Sequence, residues 1–140
     1  MPAPRNAVGI VEDDAGMREA LGRMLKAAGF EVRTFGSAEA FLENGVSCDL
    51  ACLVLDIHLP GASGIDLQRR LTGQGQTWPV IFITAHDSPH SRREASQLGA
   101  VAFLAKPFEG RLLLEAVQKA RENPAPPVDA SKVKVKPAGD

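Results

Sequence analysis

The sequence predicts an α/β domain built on a parallel sheet with helices on both faces, and three observations carry that prediction. Short apolar runs alternate five times with longer amphipathic stretches. The runs have the length and near-continuous apolarity of strands buried on both faces of a parallel sheet. The amphipathic stretches are bracketed by residues that start and stop helices. Strands alternating with helices imply right-handed crossovers that cover both faces of one sheet.

The elements follow in order. Val8 to Val11 is the first expected strand. The helix over 15–28 places Met17, Ala20, Leu21, Met24, Leu25 and Ala28 on one stripe, and Gly29 stops it. Val32 to Phe35 is the second strand, after which Ser37 caps a helix over 38–44. Leu50 to Leu55 is the third. Its helix runs from about Ser63 to Leu71 and ends in the Gly73 to Gly75 breaker, with Ser63 read as a cap rather than a nucleophile. Val80 to Ile83 is the fourth, followed by a helix that opens at Ser88-Pro89 and stops at Gly99. Val101 to Leu104 is the fifth. The last helix covers about 109–122, with Leu112, Leu113, Ala116, Val117 and Ala120 toward the core.

Residues 1–122 thus form one domain. From Asn123 onward the chain holds four prolines and no helical stripe, so residues 123–140 are expected to be a flexible tail. The Val133 to Lys136 segment has strand-like alternation, but its proline-rich context argues against an edge strand. At 140 residues and 44% hydrophobic content, one real core is within reach. A formal net charge of −1 argues against a surface built wholly for nucleic acid or anionic membrane. No apolar run approaches the ~20 residues that span a bilayer. The N-terminal MPAPRNAVGIV lacks a basic segment followed by a long apolar stretch, so a cytoplasmic protein without a secretory signal is expected. Cys48 and Cys52 make neither a disulfide scaffold nor a zinc site and are read as small buried hydrophobes.

In an open parallel sheet, ligands bind beyond the carboxyl ends of the strands. Here strand one ends in Glu12, Asp13 and Asp14, strand three in Asp56, strand four in Thr84, and strand five near Lys106-Pro107. Clustered carboxylates repel unless a cation intervenes. Oxygen-only ligands without Cys or His favour Mg2+. A carboxylate beside that ion can attack a phosphoryl group and form an aspartyl phosphate. Lys106 supplies charge and Thr84 a hydroxyl for the new oxygens. Asp14 is read as a first-turn helix acid. The Lys106-Pro107 bond is expected to be cis, because the lysine must turn back over the sheet edge.

These residues also carry a resemblance. Val11-Glu12-Asp13-Asp14, Leu55-Asp56-Ile57-His58-Leu59-Pro60-Gly61, Ile83-Thr84-Ala85 and Phe103-Leu104-Ala105-Lys106-Pro107-Phe108 stand in order at successive strand ends. Together they resemble the response-regulator receiver family, whose best-known member is the chemotaxis protein CheY, over residues 7–122. Ser37-Ala38-Glu39-Ala40-Phe41-Leu42 and Leu59-Pro60-Gly61 are most similar to the FixJ-like receivers. The resemblance implies a flavodoxin-like fold with strand order 2-1-3-4-5. It implies that Asp56 takes phosphate from a histidine kinase or a histidine phosphotransfer protein. It further implies that Asp13 and Asp56 ligate Mg2+ with the His58 carbonyl, while Glu12 holds a metal-bound water. Lys106 would contact the phosphoryl oxygens, and Thr84 and Phe103 would move together as the switch. His58 and His86 would lie at the mouth of the site and modulate phosphate lifetime. The family's first acid is most often Asp; Glu12 is one methylene longer.

Three rivals are weighed against this reading. A haloacid-dehalogenase-type enzyme expects a second acid two residues after the nucleophile, where this chain has His58. A flavodoxin-like cofactor binder wants a phosphate loop that Glu12, Asp13 and Asp14 would repel. A pseudo-receiver acting only by protein contact would not need the full set of Asp56, Thr84 and Lys106. The expected activity is self-phosphorylation from a phosphodonor and autodephosphorylation, without turnover of an external substrate. The starting Met1 favours a single-domain regulator over the receiver part of a longer FixJ-like transcription regulator. Residues 1–122 carry a net charge of −2 and the tail +1. The chain alone is therefore expected to bind no DNA specifically and to act through a downstream protein or a phosphorylation-dependent homodimer.

Overall fold

A computed structural model describes residues 6–45, 49–76 and 78–122. Five strand–helix pairs follow in chain order: β1 (Ala7–Val11), α1 (Ala15–Ala27), β2 (Glu31–Phe35), α2 (Ala38–Asn44), β3 (Leu50–Asp56), α3 (Gly64–Gly73), β4 (Val80–Thr84), α4 (Pro89–Gln97), β5 (Ala102–Ala105) and α5 (Gly110–Glu122). All neighbouring strands are parallel, in the order β2-β1-β3-β4-β5. The expected sheet order is therefore the observed one. The tail from Asn123, its Val133 to Lys136 segment and Cys48 lie outside the described residues. Among the described residues, no helix is long and apolar enough to cross a membrane.

Strand periodicity divides the core cleanly. Val11, Leu53, Leu55, Val80 and Phe82 pack on one face, with Phe41 of α2, Ile65, Leu67 and Leu71 of α3, and Ala95 of α4. Val8, Ile10, Cys52, Val54, Ile81 and Ile83 pack on the other, with Leu21 and Leu25 of α1 and Leu113 and Val117 of α5. Phe41 stacks edge-on against Phe35 and Trp78, at centroid distances of 5.1 and 5.8 Å, which fixes α2 over the first face. Cys52 is a buried thiol whose pKa burial pushes up to about 12, so it behaves as the small hydrophobe its sequence context predicts.

The caps are those the sequence shows. Ser37, Ser63 and Ser88 each accept a backbone N–H with their hydroxyl, and Pro89 opens α4. Gly29 (φ 97°) and Gly99 (φ 78°) take the left-handed conformation just past α1 and α4. Asp14 stands one position earlier than a first-turn acid. It is the N-cap of α1, and its carboxylate accepts from Gly16 and Met17.

Four expectations are corrected. Ala20 of α1 and its C-cap Ala28 are exposed, while the expected Leu21 and Leu25 are buried together with Gly22, and Met17 and Met24 pack partly buried beside them. Gly22 faces Val32 and Thr34 of β2 at ordinary packing distance. Leu112 is exposed on α5, one residue off the face set by Leu113, Val117 and Ala120. β5 begins at Ala102, since the Val101 N–H reaches back to the Val80 carbonyl while its side chain faces outward. β2 and β5 lie at the sheet edges and are only partly buried. Only the three central strands match the two-faced burial read from apolarity.

One close approach ties the fold to the acidic edge. Gly64, the first residue of α3, packs so tightly under β3 that a Cβ there would collide with the Asp56 carbonyl oxygen. Its N–H donates to the Ile57 carbonyl at 3.0 Å. Gly64→Ala is therefore expected to lower stability by roughly 1–3 kcal/mol, as overpacking does. Urea unfolding of the variant checks this. An unchanged midpoint would show that α3 and β3 separate without cost.

Candidate functional site

The carboxyl ends of β1, β3, β4 and β5 bring the predicted residues to one place. Glu12 follows β1, and its N–H continues the ladder to the Phe35 carbonyl at 3.0 Å. Asp13 comes next and is exposed. Asp56 ends β3 and is buried. One carboxylate oxygen each of Glu12, Asp13 and Asp56 lies within 4.8 Å of the others. Lys106 follows β5; its N–H donates to the Thr84 carbonyl at 2.7 Å, and the Lys106-Pro107 bond is cis as expected.

The Lys106 ammonium sits between two carboxylates, 2.6 Å from Glu12 Oε1 and 3.1 Å from Asp56 Oδ2. The remaining oxygens are also engaged. Glu12 Oε2 accepts the Asp14 N–H, and Asp56 Oδ1 accepts the His58 N–H at 2.9 Å. Here the longer arm of Glu12 reaches Lys106 directly. Among the described residues, no buried side-chain nitrogen or oxygen lacks a partner.

Burial pushes the Glu12 carboxyl above its ordinary value, and the neighbouring Asp56 carboxylate adds to this; Lys106 and the Asp14 N–H pull the other way. Burial alone would lower Lys106, but its hydrogen bonds to Glu12 and Asp56 leave it raised. The set is an oxygen-only donor group of three acids with one fixed cation beside it. Oxygen donors of this number and charge suit Mg2+. The chain's own residues therefore fit such an ion.

Thr84 is buried, and its Oγ1 accepts the His86 N–H at 3.0 Å. Phe82 pairs in register with Phe103, and Thr84 with Ala105, so Thr84 and Phe103 share a face on adjacent strands. Phe103 is half-buried. The Arg92 guanidinium lies over its ring at 4.8 Å and is itself held by two hydrogen bonds to Asp87, at 2.7 and 2.9 Å. His58 and His86 are exposed beside the acids, with ring centroids 5.1 Å apart in an edge-to-face arrangement.

Sequence reasoning missed three residues beside the site. Arg92 and Asp87 were given no role, and nothing in their spacing marks the ring of Phe103 as the third member. Arg18 was missed as well. It lies one helical turn past Asp14, so its side chain points back to the acidic turn, where Nη1 donates to the Glu12 carbonyl at 2.7 Å. That i, i+4 spacing from the cap was a usable signal.

Glu12 and Lys106 both bind protons more tightly in the folded than in the unfolded state. Their contribution to stability is thus present at low pH and is lost as pH rises, for Glu12 from its ordinary value of 4.5 upward and for Lys106 only above 10.5. Lys106→Met leaves Glu12 and Asp56 facing each other without their cation. Stability should fall by about 1–3 kcal/mol at pH 7, less than for a fully buried pair. The deficit should narrow as pH approaches 4. Denaturant midpoints across that range check this, and a pH-independent deficit would show that the ammonium acts only through packing.

The fold and these residues have known counterparts. The family model of the response regulator receiver domain matches residues 8–118. The chain is 44% identical over 113 residues to Nodulation protein W of Bradyrhizobium diazoefficiens, covering 81% of this chain and 50% of that protein. It is 39% identical over 111 residues to the transcriptional regulatory protein FixJ of the same organism, covering 79% and 54%. The chain thus spans about half the length of the curated relatives it matches. Among solved structures, FixJ-N shares 36% identity at a TM-score of 0.79, over 90% of this chain and 99% of that one. A CheY-like receiver from Methanospirillum hungatei, at 24% identity, shares the fold with a TM-score of 0.79 over 84% and 94% of the two chains. By its sheet order, its acidic strand ends and these likenesses, the chain belongs to the response-regulator receiver domain family of two-component systems.

Proposed function

We propose that the chain is a phosphorylation-operated switch in which Asp56 accepts a phosphoryl group from a histidine kinase or histidine phosphotransfer protein. One observation carries the reading. Asp56 ends a central strand with one oxygen held by the His58 N–H and the other by the Lys106 ammonium, beside two further carboxylates.

In this reading Asp13 and Asp56 hold Mg2+ directly, with the His58 carbonyl as a third protein ligand and Glu12 acting through water. Bound there, the ion supplies positive charge to the phosphoryl oxygens as the group transfers. The chain's own residues do the rest. An Asp56 carboxylate oxygen attacks phosphorus in line with the departing donor, so that one P–O bond forms as the donor bond breaks. Lys106, already at hydrogen-bonding distance from Asp56, turns from Glu12 to a phosphoryl oxygen. The Thr84 hydroxyl, which accepts the His86 N–H in the resting state, turns to donate its proton to a phosphoryl oxygen, and Phe103 moves into the space that opens. That movement withdraws the ring from Arg92, at a cost of roughly 0.5–1 kcal/mol for an exposed cation–π contact. The two arrangements form a bistable element that a phosphate can bias. His58 and His86, exposed with their rings in contact at the mouth of the site, modulate phosphate lifetime.

Output then runs through the face of α4, β5 and α5, toward a downstream protein or a second phosphorylated copy. A second reading places the chain as the receiver part of a longer transcription regulator. The twofold greater length of its relatives, FixJ among them, favours it. In either case DNA reading belongs to elements other than residues 6–122.

Two outcomes are expected. Asp56→Asn should take up no acid-labile phosphate from acetyl phosphate, and chelating Mg2+ should abolish uptake by the wild type; uptake by the variant at the wild-type rate would sink the assignment. Phosphorylation should also change amide exchange over residues 85–110, and identical exchange in both forms would refute the Thr84–Phe103 mechanism.

A further inference from the structure

The acidic turn between β1 and α1 has a backbone problem. Past the Glu12 N–H, which makes the last bond to β2, the chain leaves the sheet, and the carbonyls of Glu12 and Asp13 precede the first helical acceptor, Asp14, which takes the Arg18 N–H at 2.9 Å. Two carbonyls next to three carboxylates add further negative potential where the chain must present Asp13. Arg18 addresses both. Its Nη1 donates to the Glu12 carbonyl at 2.7 Å and, more weakly, to the Asp13 carbonyl at 3.4 Å. Arg18 is partly buried, and its guanidinium lies beside Gly36, just past β2, where a Cβ would stand 3.4 Å from Nη1.

These contacts bracket the peptide that carries Asp13. On one side the Glu12 N–H is fixed to the Phe35 carbonyl, and on the other Asp14 is fixed as the cap of α1. Between them, the Glu12–Asp13 peptide is oriented by the Arg18 side chain. That peptide fixes where the Asp13 side chain leaves the backbone, and Asp13 itself is exposed.

We propose that Arg18 is a positioning residue for divalent-cation binding. By holding the Glu12 and Asp13 carbonyls it aims the Asp13 carboxylate at the site shared with Asp56, touching neither cation nor phosphoryl group. The proposal rests on the metal-dependent reading above. A guanidinium keeps its charge when partly buried and presents its donors in a pre-organised plane, which a flexible lysine does less well.

The test is magnesium titration of the full 140-residue chain by calorimetry, with melting measured in the absence of metal. Arg18→Met should weaken magnesium binding by roughly 10-fold or more, the usual effect of losing a group that orients a ligand. Arg18→Lys should recover part of that loss. The phosphorylation rate of Arg18→Met should return toward wild type at saturating magnesium, because the chemistry itself is intact. Unchanged magnesium affinity in both variants, with or without a lower melting temperature, would overturn the assignment. Failure of both to fold would make Arg18 a structural residue and overturn it equally. Wild-type protein that binds no magnesium would instead remove the reading on which the proposal stands, and Asp13→Asn serves as the reference for loss of a direct ligand.

Discussion

The structure turns on one constraint: three carboxylates are brought to one sheet edge, two of them buried, and a single ammonium lies between those two. At ordinary protein dielectric, like charges this close cost several kcal/mol unless a cation offsets them. Lys106, 2.6 Å from Glu12 and 3.1 Å from Asp56, is that cation within the chain itself. The arrangement is satisfied in isolation yet easily re-sorted. In the function proposed above, a second cation or an incoming phosphoryl group would change which partner the ammonium prefers, so that the resting contacts would double as the trigger.

The rest of the fold serves this edge. Parallel strands with right-handed crossovers place four strand ends side by side, which an antiparallel arrangement of the same segments would not do. The central strands β1, β3 and β4 are fully buried, so Asp56 and Thr84 sit on a frame that does not yield. Gly64 lets α3 close against the end of β3, and Arg18 closes α1 against the acidic turn. By contrast α4 buries only Ala95 and is held at its flanks by charge pairs, Arg69 with Glu94 and Arg92 with Asp87. Such pairs are weak individually. Rigidity at the acids and loose attachment at α4 are what a switch with a local input and a surface output requires.

Much of this was legible in the sequence, for identifiable reasons. Strand ends were readable because apolar runs stop abruptly at Glu12, Asp56, Thr84 and Lys106, and the parallel topology then fixes which ends meet. Caps were readable because Ser37, Ser63 and Ser88 each precede a helical stripe. Exposure of Ala20 and Leu112 was not, because small or apolar residues at the border of a stripe do not reveal how a helix is rotated against its sheet. The edge character of β2 and β5 depends on sheet order, which the apolar pattern alone leaves open. Arg18 contacts a carbonyl and Arg92 a ring, partners that carry no charge in the sequence, so only the spacing of Arg18 from its helix cap could have pointed to it. The direct Glu12–Lys106 contact likewise depends on side-chain reach across 94 residues of chain.

In the proposed function Asp56, the carboxylate held by both Lys106 and the His58 N–H, is the group that becomes chemically modified. Borohydride reduces an aspartyl phosphate to homoserine, which peptide mapping locates by mass. After treatment with acetyl phosphate and magnesium, homoserine is expected at position 56 alone, and none when magnesium is chelated. Homoserine at position 13, or at no position despite bound phosphate, would contradict the account.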